Sequence, residues 1–302
     1  MKNNRFLSTG LFALVVGLPS FGIAQDLPPL TFTFKDVNVK GAIETDTYAI
    51  NNKGVITGDY IDRSNVQHGM ILNGTRLTTF DNKRCNKTSD RTGISAFGIN
   101  SAGMVAGWCR LSGKNTDYSF TFAKKKFTTI RPPGSTSTQA SGINDKGAVV
   151  GSYVDPASNQ LGFLKVGGKY TTIMMPGAVT TAATGINDAG IVSVNVGCGG
   201  LSSFAYTTLM NSGTFTPYAV PGAGPRGTVI REANTKGDVT GYYFDSASVV
   251  HGWLYHGGTY YTFDDPNGAN GTAGAGLNDK LNIVGLYFAA DNSVHGFDAQ
   301  AK

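Results

Sequence analysis

An all-β chain closed into a six-bladed β-propeller of four-stranded blades is the fold class this sequence predicts, on three observations. A phrase made of a hydrophobic residue, Asn, two further residues and usually Gly occurs six times, with 49, 44, 43, 47 and 44 residues between successive Asn positions. Each copy opens a segment that reads as four short strands. The last copy lacks its fourth strand, and a matching strand stands at the start of the chain. A sustained period of this length marks a repeat architecture, in which no unit buries its own apolar face and each must stack on its neighbours.

In chain order, the first element reads as a secretory signal over residues 1–24. Lys2 and Arg5 supply a basic start, residues 11–18 an apolar run, and Gly22-Ile23-Ala24 small residues suited to cleavage. A membrane anchor is the competing reading. Pro19 and Gly22 shorten a run already marginal against the ~20 apolar residues that a spanning helix needs. The expectation is an exported chain, extracellular or periplasmic, with no stable membrane insertion and with residues 25–302 forming one propeller domain.

Leu30-Thr31-Phe32-Thr33-Phe34 comes next and resembles Leu77-Thr78-Thr79-Phe80, Phe127-Thr128-Thr129-Ile130 and Tyr261-Thr262-Phe263. Those three are the threonine-rich fourth strands of their repeats. The sixth repeat runs out after His295-Gly296-Phe297, so an N-terminal strand completing the last sheet closes the ring and hides two edges. An open array with a frayed final sheet is the alternative.

The six phrases begin at Ile50-Asn51, Ile99-Asn100, Ile143-Asn144, Ile186-Asn187, Ala233-Asn234 and Leu277-Asn278. The third repeat is the clearest. Strands are expected at 140–144, 148–154, 161–166 and 169–174. Asn144-Asp145-Lys146-Gly147 forms a turn whose Asn and Gly tolerate left-handed backbone. Four strands in about 44 residues match the length of a propeller blade.

The recurring Gly-Ile-Asn-Asp-x-Gly, Val-x-Gly-x-Tyr, His-Gly-Phe or His-Gly-Trp, and Thr-Thr-Ile followed by Pro-Gly resembles the HAF-type extracellular repeat of bacterial secreted proteins. The resemblance spans residues 31–302. It is best in the third repeat and weakest in the fourth, which has Ser193-Val194-Asn195 and Gly197-Cys198-Gly199-Gly200 instead. It implies an exported, propeller-like protein and assigns no catalytic residue.

Composition narrows the function classes. Charged residues are 15% of the chain while Gly numbers 41, a balance that fits turn-rich β structure. Removing residues 1–24 takes away Lys2 and Arg5 and lowers the formal charge from +5 to +3. That is too little, over this length, to mark a nucleic-acid binder. Three cysteines occur, Cys85, Cys109 and Cys198. In an oxidising compartment one disulfide and one free thiol is the simplest arrangement, and Cys85–Cys109, within or beside one repeat, is the expected pair.

His68, His251 and His295 each stand 17 residues after their repeat's Asn, and Asp62, Asp155 and Asp245 stand 11 after it. A shared three-His metal site fails on geometry. Nitrogen ligands must come within ~2.1 Å of one zinc, whereas equivalent third strands diverge from the axis at ~4.8 Å per strand. Loop capping is the expected role for both sets, and neither a metal nor a cofactor is expected.

Departures from the repeat are the better guide to a site. Glu232 occupies a register held by Ala49, Gly98, Gly142, Gly185 and Gly276 elsewhere. An Arg231–Glu232 pair facing the channel would hold a polar ligand, or supply an acid through Glu232; a register shift turning both to solvent is the alternative. Repeat two carries a basic insertion, 81–91, that includes Arg84 and Lys87, and a hairpin with Lys124, Lys125 and Lys126. Together these make a candidate cationic patch for acidic glycans. The leading expectation is a monomeric, non-enzymatic binding or display scaffold for carbohydrate or a cell-surface component. The alternatives are a secreted glycan hydrolase or lyase at the channel mouth, and a purely structural envelope protein.

Overall fold

The computed structural model describes residues 29–85, 93–197 and 206–302. The expected signal segment, Lys87 and Cys198 lie outside the described residues. All strands belong to the unit Thr31–Lys302.

The first strand, β1 (Phe32–Val37), stands apart from the blade that follows it. Blade one is β2 (Glu44–Ile50), β3 (Val55–Ile61), β4 (Gln67–Asn73) and β5 (Arg76–Phe80). Blade two is β6 (Ser95–Ile99), β7 (Val105–Arg110), β8 (Asp117–Ala123) and β9 (Lys126–Ile130). Blade three is β10 (Ser137–Ile143), β11 (Val149–Val154), β12 (Gln160–Val166) and β13 (Lys169–Ile173). Blade four is β14 (Thr180–Ile186), β15 (Val192–Gly197), β16 (Tyr206–Asn211) and β17 (Thr214–Tyr218). Blade five is β18 (Thr228–Ala233), β19 (Val239–Phe244), β20 (Val250–His256) and β21 (Thr259–Phe263). Blade six has β22 (Thr272–Leu277), β23 (Asn282–Phe288) and β24 (Val294–Ala301), and β1 is its outer strand.

Every sheet is four-stranded and antiparallel, and no helix occurs among the described residues. The closing strand pairs Phe32 with Ala301 through Val37 with Gly296. Phe34 packs edge-on against Phe297 at 5.5 Å, and Phe32 lies 5.1 Å from Phe263 of the neighbouring blade. The ring is therefore closed by hydrogen bonds and aromatic contact together. In the third repeat the inner strand begins at Ser137, three residues before the expected start, because its backbone keeps pairing with Val154.

Between blades the core is made by one large side chain from the third strand of five blades. Met70, Phe120, Phe163, Trp253 and Phe297 are all fully buried. Four of these five are aromatic, each ring removing a large apolar area from water, and none of the four is free to stack on a sugar.

The Asn of each phrase has two jobs. Its side-chain oxygen caps its own turn, as Asn51 does by accepting from the backbone N–H of Lys53 and Val55, both at 3.0 Å. Its amide then donates to the backbone carbonyl of the next blade's Asn. Asn51 reaches Asn100 (2.9 Å), Asn100 reaches Asn144 (3.2 Å) and Asn144 reaches Asn187 (3.0 Å). Asn187 reaches Asn234 (2.9 Å), Asn234 reaches Asn278 (3.2 Å), and Asn278 returns to Asn51 (3.2 Å). These buried amides form an unbroken circle of inter-blade hydrogen bonds around the axis.

Candidate functional site

Every inner strand carries a β-bulge at the same place. Pairing shifts register between Thr47 and Ala49, Ala96 and Gly98, Ala140 and Gly142, Ala183 and Gly185, Ile230 and Glu232, and Gly274 and Gly276. The extra residues are Tyr48, Phe97, Ser141, Thr184, Arg231 and Ala275. A bulge re-aims a side chain relative to the strand's alternation. Arg231 and Glu232 are thereby sent to different places, which corrects the expectation of a charged pair sharing one channel.

Glu232 lines a narrow funnel at the Asn-turn end, with a volume of about 70 Å³. Sites that enclose small molecules usually measure ~300–1,000 Å³, so a sugar ring does not fit around its carboxyl. The axis is crowded here. A Cβ built on Gly185 would stand 2.8 Å from Glu232 Oε2 and 2.6 Å from the Arg231 carbonyl oxygen. Burial among these strands pushes the Glu232 carboxyl up to about 8, against a smaller opposing pull from the Ala233 backbone N–H and Arg231. Around the same mouth run Asn52, Ser101, Asp145, Asp188, Thr235 and Asp279. Their carboxylates are engaged by neighbouring blades: Asp145 accepts from Ser101 N–H (2.6 Å), Asp188 from Asp145 N–H (2.7 Å) and Asp279 from Thr235 N–H (2.9 Å).

Arg231 points into a separate pocket of about 380 Å³, within the usual ligand range, that opens toward the end opposite the Asn turns. Tyr48, Phe97, Tyr242, Phe244 and Phe288 line it, all half-buried. Tyr48 stacks on Phe97 at 4.4 Å, and Phe97 lies parallel to Trp108 at 5.9 Å, giving a continuous aromatic row from the axis outward over blade two. The Arg231 guanidinium sits 5.7 Å from the Phe97 ring, and the exposed Arg226 guanidinium lies 3.7 Å over Phe244. Among the described residues no carboxylate lines this pocket.

Two supports hold the pocket in shape. Tyr48 Oη donates to Asp46 at 3.0 Å, and Asp46 stands directly opposite Asp59 in the blade-one sheet, both buried. Burial first, then the nearby Asp46 charge, holds the Asp59 carboxyl well above the usual carboxylate range. On the other side Asn195 of blade four clasps the blade-five bulge. Its amide donates to the Ile230 carbonyl (2.9 Å) and its oxygen accepts the Ile230 N–H (3.1 Å). The departure of repeat four from the common pattern therefore braces the departure of repeat five.

Among the described residues, repeat two's cations do not gather. Lys124, with Lys125, forms the left-handed turn of the β8–β9 hairpin, at the Asn-turn end. Arg84 packs 4.4 Å over Tyr118 at the far end of β8, about 20 Å away at ~3.3 Å per residue. Cys85 and Cys109 form a disulfide with a Cα separation of 5.6 Å, tying the insertion to β7.

The histidines are loop clamps. His68 bonds Asp81 at 2.9 Å and Asp62 at 3.3 Å while stacking on Tyr60 at 5.0 Å. His251 repeats this with Asp264 at 3.0 Å and with Tyr243. His295 uses Asn38 and Ser293. Asp62 and Asp245 accept their own loops' backbone N–H groups, and those of Val66 and Val249 foremost hold the two carboxyls below their usual range. No group of three or more His, Cys, Asp or Glu among the described residues is arranged to hold a metal.

Of this pocket's bulge residues the sequence singled out Arg231 but not Tyr48 or Phe97, although a signal existed. The residue before the small axial position is Ser, Thr or Ala in three repeats but Tyr48, Phe97 and Arg231 in the others.

No protein-family model matches the chain, and no curated protein does. Solved structures do match in fold. A mutant of the Aleuria aurantia lectin in complex with Fucalpha1-6GlcNAc is 12% identical over 89% of this chain and 96% of its own, with a TM-score of 0.54. SapL1 lectin in complex with alpha methyl fucoside is also 12% identical, over 85% of this chain and 93% of its own, with a TM-score of 0.52. A putative TolB from Agrobacterium tumefaciens is 11% identical over 85% of this chain and 90% of its own, with a TM-score of 0.55. At such identities the likeness is one of architecture: the chain is a six-bladed β-propeller.

Proposed function

We propose that the protein is a glycan-binding propeller that works outside the cytoplasm, and that the axial aromatic pocket is its binding site. The observation that carries this reading is the Tyr48–Phe97–Trp108 row, beside a cavity of about 380 Å³ that also holds Arg231. Aromatic faces suit the apolar face of a sugar ring, and a guanidinium and tyrosine hydroxyls suit its oxygens. Two of the matching propellers are in complex with fucose-containing ligands, which supports sugar binding on this architecture without assigning fucose here. The Cys85–Cys109 disulfide supports an oxidising compartment, in keeping with the HAF-type resemblance and the signal-like start. The hydrolase alternative needs paired carboxylates about 5–10 Å apart around a sugar. Among the described residues none lines the aromatic pocket, and Glu232 lies in the narrow funnel.

A glycan array probed with the purified protein is expected to give a restricted set of binders. Phe97→Ala, checked for native unfolding behaviour, is expected to weaken them at least tenfold, whereas removing the Lys124, Lys125 and Lys126 charges leaves them unchanged. An array without binders sinks the reading, as does full binding by the Phe97 variant.

A further inference from the structure

Arg231 is placed where it would choose among sugars. We infer that the axial pocket takes an acidic glycan, a uronic-acid-bearing chain whose ring rests on the Tyr48–Phe97 row and whose carboxylate meets the Arg231 guanidinium. This inference rests on the glycan-binding reading and deepens it.

The placement of charge supports it. The pocket's lining contains, among the described residues, one guanidinium and no carboxylate. Among the described residues no carboxylate stands within ion-pairing distance of Arg231. Glu232, its neighbour in sequence, is on the other side of the bulge and lines the opposite funnel. Desolvation also favours its protonated form at neutral pH, which leaves the cation uncompensated. Asp46 beneath the aromatic row is buried and takes the Tyr48 hydroxyl hydrogen bond. Arg226 adds a second guanidinium at the rim, over Phe244.

Geometry favours a carboxylate carried on a sugar. The guanidinium stands over the Phe97 ring at 5.7 Å from its centroid, near the outer limit of a cation–π contact, so it is only loosely held there. A uronate carries its carboxyl on a ring carbon, roughly in the plane of the sugar. A ring bound in the pocket therefore presents that group at its edge, where a guanidinium only loosely held over Phe97 can turn to meet it. The planar fork of Arg accepts a carboxylate through two parallel N–H donors, and a neutral hydroxymethyl group offers no equivalent.

The test is calorimetric titration of the protein with a galacturonate tetrasaccharide, with its fully methyl-esterified form, and with a glucuronate-containing hexasaccharide. At least one acid probe is expected to bind, and the free-acid tetrasaccharide at least tenfold more tightly than its ester if galacturonate is the sugar recognised. Arg231→Gln is expected to abolish acid binding or reduce it tenfold or more, Arg231→Lys to retain part of it, and Phe97→Ala to lose it. Near-ultraviolet circular dichroism checks that each variant is folded. Binding of neither acid probe, while neutral glycans bind on the array, overturns the acidic assignment and leaves the glycan reading intact. Acid binding undiminished in a folded Arg231→Gln protein also overturns it. No glycan binding of any kind overturns both.

Discussion

Glu232 is a carboxyl set where five other blades place Gly or Ala, and its protonation is tied to folding. The unfolded side chain ionises near 4.5 and the folded one near 8. Below the lower value both states hold the proton and the site has no effect on stability. Between the two values the unfolded state loses its proton first, so each unit of rising pH favours unfolding by up to ~1.4 kcal/mol. Above the upper value the penalty stays constant. Glu232→Gln is therefore expected to match the parent near pH 5 and to melt several degrees higher at pH 8.5. Thermal midpoints across that range check it, and parallel curves for the two proteins would refute the assignment. Asp59, also raised by burial, acts in the same direction, so some slope should remain in the variant. Glu232 stood out in the sequence because it broke a small-residue register. Its separation from Arg231 did not, because a bulge inserts one residue without changing the composition around it.

At the scale of the element, the Asn turn is both a hairpin and a hinge pin. Asn144 caps its own turn through Ala148 N–H (2.9 Å) and donates across the blade boundary to Asn187 (3.0 Å). Were capping the whole role, Asp would replace Asn with little loss, since either oxygen accepts the same N–H group. Because the amide also donates, Asn144→Asp puts a buried carboxylate against a carbonyl oxygen. Asn144→Ala is expected to cost about 2–3 kcal/mol, from a lost hydrogen bond and an orphaned N–H. Asn144→Asp should cost at least as much at pH 7 and recover part of it on acidification, when the protonated acid can donate. Urea unfolding at two pH values separates these outcomes. The turn itself was legible from Asn and Gly, with Gly147 at φ +74°. Its second bond was not, because a donor's partner in the next blade leaves no mark on local spacing.

Over the whole molecule, the period and the displaced threonine-rich strand made the ring readable before any coordinates. The phrase recurs at near-regular intervals, and the strand carries the same threonine-rich pattern as the fourth strands of other repeats. The pocket resisted the same reading because its walls come from four different blades. Closure by β1 gives a further prediction. Deleting residues 1–37 strips the partner from β24 and the Phe32 and Phe34 contacts with Phe263 and Phe297. The shortened chain is expected to melt markedly lower and to self-associate with rising concentration through its bare edge, which size-exclusion chromatography would follow. A monomer as stable as the parent would mean that the strand is dispensable. In the intact ring Thr31 and Lys302, 271 positions apart, exchange backbone hydrogen bonds of 2.9 and 3.0 Å. A short linker could join them, and the circle could be reopened at the Gly167–Gly168 hairpin. The molecule thus has no privileged first blade: order of synthesis, not geometry, decides which one is assembled from two pieces.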